Sequence, residues 1–136
     1  MQLAKDYSAR MPELDEQHKH VFDRFVFVKD TVARGSGWNI THAALATLIT
    51  RFEYCSAVEE ALMQIHDYPE CEDHKKEHAD LLLNLHEMER ATLTSGLTEK
   101  MVGAAFAAAM KHHLTQDRRY ARYLPQARGS MPESPG

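Results

Sequence analysis

Residues 52–63 read "FEYCSAVEEALM", and the spacing of their apolar side chains decides the fold. Phe52, Cys55, Glu59, Leu62 and Met63 recur at intervals of three and four, the period of one face of an α-helix. Upstream, Leu45 and Leu48 continue the same stripe, and Thr41 stands where an N-cap is expected. Downstream, "HDYPE" (66–70) ends the pattern, with Pro69 as the breaker. One member of this otherwise apolar face, Glu59, is a carboxylate.

Three further stretches share the period. Leu14, His18, Val21, Phe22, Phe25, Val28 and Val32 line one face until "RGSG" (34–37) stops it. From about residue 72, His74, His78, Leu81, Leu82, Leu85 and Met88 are in register until "TSG" (94–96). From Thr98, the inner positions are Met101, Ala105, Ala108, Ala109 and His112. No segment alternates with period two, so no sheet is expected. Four helices with short connections predict an all-α fold, an antiparallel up-down-up-down four-helix bundle preceded by an N-terminal arm. The expected boundaries are an arm over residues 1–12, a bundle over 13–124, and a disordered tail over 125–136 that ends in "GSMPESPG".

Composition sets the class. A chain of 136 residues with 43% hydrophobic side chains suffices for one core. A net charge of −4 offers no field for nucleic acid, and the basic run "RRYARYLPQAR" (118–128) complements the negative end of a final helix. Neither a charged-then-apolar leader nor a membrane-length apolar run is present, so the expected setting is cytoplasmic, with no membrane partner. Cys55 and Cys71 are then expected as thiols. A monomer is expected.

The inner stripes are not uniformly apolar. His18, Glu59, His74, His78 and His112 fall among core positions, where an unpaired polar group would cost several kcal/mol. Any one of them alone reads as a hydrogen-bonded core residue. Five on four facing helices read as a bundle holding metal ions. His74 and His78, in "HKKEH", differ by only about 40° around a helix and can reach one ion. In "HHLTQD", His112 and Asp117 are about 140° apart in ideal α geometry, so both serve one site only if the helix is distorted there. Otherwise Asp117 is a solvated charge beside Arg118 and Arg119.

Together "LDEQHKHVF", "FEYCSAVEEALM", "YPECEDHKKEHADLL" and "HHLTQD" resemble the hemerythrin pattern: a first His, then HxxxE, HxxxH and HxxxxD, across roughly residues 7–123. The resemblance implies two iron ions with an oxo or hydroxo bridge inside the bundle. It places His74, His78 and His112 on one iron, Glu59 and Asp117 between the two, and His18 on the second. The remaining ligand, the His of HxxxE, is replaced by Cys55. The other histidines, His20, His42, His66, His86 and His113, lie off the stripes or too far along them.

Position 55 therefore leaves three readings open. Cys55 ligates as a thiolate, although its sulfur reaches less far than a His Nε2; or water or an exogenous ligand fills the place beside a free thiol; or the second site is weak. The pocket departs from the pattern too. Ala108 and Ala109 stand where bulky residues usually shield the ligand, which predicts a roomier or wetter cavity walled by Phe22, Phe25, Leu62 and Met63.

The implied function is binding of dioxygen or a related small ligand such as nitric oxide, by a carrier, scavenger or sensor. A di-iron oxidase, oxygenase or peroxide-reducing enzyme that uses the open coordination position, with Cys55 as a redox participant, is the alternative. A metal-storing bundle without oxygen chemistry is a third reading.

Overall fold

The structure is a computed structural model that describes residues 12–129. Helix α1 spans Pro12–Ala33, α2 Trp38–Ile65, α3 Cys71–Leu93 and α4 Glu99–His112. A π-helical turn, His113–Asp117, follows α4 without a break and runs into α5, Arg118–Gly129. The last three pieces form one continuous rod, so four rods make up the described residues, and no strand occurs among them.

The helix ends follow from local chemistry. After α1, Ser36 donates to the Thr31 carbonyl and Gly35 to that of Val32, with Gly35 at a φ of 68°. This is the αL closure that glycine accepts without steric cost. The same closure ends α2: Tyr68 donates to Met63 and Asp67 to Gln64, and Asp67 takes the left-handed conformation at a φ of 53°. The break thus precedes Pro69. Thr98 caps α4, its hydroxyl accepting from the Met101 amide at 3.2 Å. Thr41 is not a cap: α2 begins at Trp38 behind Gly37, and Thr41 is buried inside the helix.

Each rod packs on the next, and α4 returns to α1, which closes the ring. His18 near the start of α1 meets Glu59 near the end of α2, and Glu59 meets His74 at the start of α3. At the other end, His42 of α2 lies 4.0 Å from Glu89 of α3. Helices α2 and α3 therefore run in opposite directions. Val28, Leu45, Leu48, Leu85, Met88 and Val102 fill the half of the bundle away from the polar groups. Burying each such side chain contributes about 1.5–3 kcal/mol, and this apolar half is what allows the other half to be polar. Helix α5 continues through Gly129, past the expected tail boundary at residue 125. The expected arm over residues 1–11 and residues 130–136 lie outside the described residues.

Candidate metal centre

Four rods deliver seven polar side chains to one depth: His18, Glu59, His74, His78, His112, His113 and Asp117 are all buried. Two carboxylates organise them. Glu59 Oε1 lies 2.6 Å from His74 Nε2 and 3.1 Å from His78 Nε2, whereas Oε2 lies 3.1 Å from His18 Nε2. Asp117 Oδ1 lies 2.9 Å from His74 Nε2 and 3.0 Å from His112 Nε2. Its Oδ2 lies 3.3 Å from His18 Nε2 and 3.0 Å from His113 Nδ1. Each carboxylate thus turns one oxygen toward a set of three imidazoles and the other toward a set of two.

Two groups of ligand-type atoms result, each with its atoms within 4.8 Å of one another. Glu59, His74, His78, His112 and Asp117 form one; His18, His113 and Asp117 form the other, which Glu59 reaches through His18. Both could hold a metal ion. Further carboxylates orient the rings from outside. His78 Nδ1 donates to Glu60 at 2.7 Å and His112 Nδ1 to Glu77 at 2.8 Å, which leaves each Nε2 directed inward. His112 Nε2 and Asp117 Oδ1 face each other without a directed hydrogen bond, and His74 Nδ1 is buried without a partner. Buried polar atoms held this close without an aligned hydrogen bond would be satisfied by a cation lying between them. The donor set of imidazoles and carboxylates therefore fits metal ions.

The electrostatics of the empty-handed side chains agree. Burial pushes the Glu59 carboxyl up and nearby Asp117 adds to it, yet hydrogen bonds from His18, His74 and His78 hold it well below the usual range. Asp117 is likewise held low against burial, first by the charge of His18 and then by the close approach of His112, His113 and His74. Burial opposes the charged form of His74, but Asp117 and Glu59 raise it to about 10. His18 and His112 are also raised against burial, chiefly by Asp117. Burial lifts the Cys55 thiol above its ordinary value despite its contact with His18.

The π turn explains how His112 and Asp117 share a site. Its i→i+5 hydrogen bonding brings residue 117 back over residue 112, undoing the offset that an α-helix imposes at that spacing. Asp117 is thereby 2% exposed, a core carboxylate and not a solvated charge. The same widened turn corrects the reading of His113. Expected off the stripe, it is 5% exposed, with its ring 4.6 Å from that of His18 and 5.4 Å from that of Phe22. A signal existed in "HHLTQD": His113 stands four residues before Asp117, the spacing of facing helical pairs.

Cys55 is buried in the same region but belongs to neither group. It lines a small cavity of about 30 Å³ together with Phe22, Phe52, Leu81, Ala109 and the histidines His18, His78, His112 and His113. Among the expected wall residues, Phe22 and Ala109 line this cavity, whereas Phe25, Leu62 and Met63 pack elsewhere in the core. Ala108 faces a separate surface groove with Lys111 and Thr115. Phe106, on α4, packs its ring edge-on to Phe22 at 5.8 Å and to Phe25 at 5.6 Å, behind the wall that Phe22 forms.

A family model, the hemerythrin HHE cation-binding domain, matches residues 11–123. The chain belongs to that family. The two buried groups lie within this hemerythrin HHE domain and are the ones among the described residues that could bind its cations. Neither a curated protein nor a solved structure matches the chain. No helix among the described residues of the domain is long and apolar enough to cross a membrane.

Proposed function

We propose that this hemerythrin HHE domain is a non-haem di-iron protein that binds dioxygen or a related small ligand, as a carrier, scavenger or sensor. The observation that carries the reading is the division of labour within each carboxylate: Glu59 and Asp117 each present one oxygen to each histidine set. One ion would need only one oxygen from each; two ions side by side use both. His74, His78 and His112 would hold the first, and His18 would lie on the second.

When bound, the two irons supply the electrons and the coordination position that a small ligand needs. The chain supplies the surroundings. Phe22, Phe52 and Leu81 wall the cavity and keep bulk water away. The cavity, about 30 Å³, has room for a small ligand beside the two histidine sets. Glu60 and Glu77 hold the outer nitrogens of His78 and His112, fixing the tautomers.

The test is anaerobic loading with ferrous iron followed by metal analysis and exposure to oxygen. Two irons per chain and a near-ultraviolet band that fades on degassing are expected. One iron per chain, or an oxygen-insensitive spectrum, overturns the reading.

A further inference from the structure

We infer that His113 supplies the second metal position with an imidazole from the fourth rod, and that Cys55 is a wall residue of the cavity and not a ligand. The inference rests on the two-ion reading and deepens it. Without His113, the second group holds a single imidazole, His18, beside one oxygen from each carboxylate. With it, the set becomes two imidazoles and two carboxylate oxygens, a donor number suited to an ion that keeps a position open for a ligand.

Three observations converge on His113. Its Nδ1 lies 3.0 Å from Asp117 Oδ2, the oxygen that also faces His18. It is a full member of the second ligand group, whereas the Cys55 sulfur, though buried nearby, is in neither group. Its inward direction is built by the backbone: the π turn that swings Asp117 over His112 includes His113 as its first residue. The helix distortion that completes the first set thus delivers the extra donor for the second. Position 55 on α2 is released from ligation and can carry a small side chain.

An ordinary core role for His113, as hydrogen-bond partner of Asp117, makes a different prediction. Asparagine places an amide nitrogen near the position of Nδ1 and can keep that hydrogen bond, but it is a poor ligand. The experiment loads four proteins with ferrous iron under anaerobic conditions and counts ions per chain, with circular dichroism as the folding control. The wild type is expected to take two. His113→Asn is expected to take one, Cys55→Ala two, and the double variant Cys55→His with His113→Asn two again, as the donor is returned to α2. Loading with cobalt(II) adds a spectroscopic readout, in which no thiolate-to-metal charge-transfer band is expected from the wild type. Retention of two ions by His113→Asn, loss of one by Cys55→Ala, or a thiolate band overturns the inference while leaving the two-ion reading intact. A wild type that takes fewer than two ions overturns both.

Discussion

A carboxylate outside the ligand groups sets how well a ring inside them binds. Glu77 is half-exposed and accepts from His112 Nδ1 at 2.8 Å, so it can be removed without opening the core. Glu77→Ala is expected to weaken metal binding at the His112 set by about 10–100-fold, measured by competition with a chromogenic chelator, with helix content unchanged. The residues themselves show why some of this centre was legible and some was not. His74, His78 and Glu59 sit on unbroken α-helix, so a step of about 100° per residue places them correctly from the sequence. His113 and Asp117 sit on a turn of different pitch, and the same arithmetic rotates one away from the centre and leaves the other ambiguous. Position 55 interrupts the pattern on α2, and the residue proposed to supply the second imidazole, His113, lies on another rod.

At the scale of elements, the connection between α2 and α3 is fastened to the last rod by aromatic side chains. The Tyr68 ring lies 5.0 Å from both Tyr120 and Tyr123, and the Tyr123 hydroxyl donates to the His66 carbonyl at 2.8 Å. Burial, reinforced by Glu70, raises the Tyr68 phenol from 10.0 to about 12. The folded state therefore holds this proton more tightly than the unfolded chain. The contribution is fully present below about pH 10 and is lost as the pH rises through about 12. Denaturant unfolding across that window is expected to show a falling stability, and Tyr68→Phe is expected to flatten the fall. Helix order and the inner stripes were readable because four apolar periods are separated by strong breakers. The ends were less so: Thr41 has the chemistry of a cap, yet Gly37 leads α2 and Thr41 is used inside.

For the whole molecule, the bundle divides its interior between an apolar half and a polar half, and the polar half is where stability depends on what is bound. In the metal-free chain, protonated imidazoles balance the two buried carboxylates, as the raised His18, His74 and His112 and the lowered Glu59 and Asp117 record. Ions that bind only the folded chain add to its stability by mass action, about 2.7 kcal/mol at a free concentration a hundred times the dissociation constant. For a domain of this length that corresponds to a rise in melting temperature on the order of 10 °C. Calorimetry of the iron-loaded and chelator-stripped protein checks this; equal melting temperatures would contradict tight binding at the centre.

The π turn between α4 and α5 is out of phase with the helices on either side of it. Such a phase slip persists only while both flanks are clamped, upstream by the packing of Val102 and Ala105 and downstream by Tyr120 and Leu124. Loosening the downstream clamp, as in Leu124→Ala, is expected to let the rod return toward an even pitch and to turn His113 and Asp117 away together, read as a loss of metal uptake by the folded chain. The centre and the packing of Tyr120 and Leu124 thus lie on one rod, so the geometry at the middle of the bundle rests on contacts made up to about two turns further along.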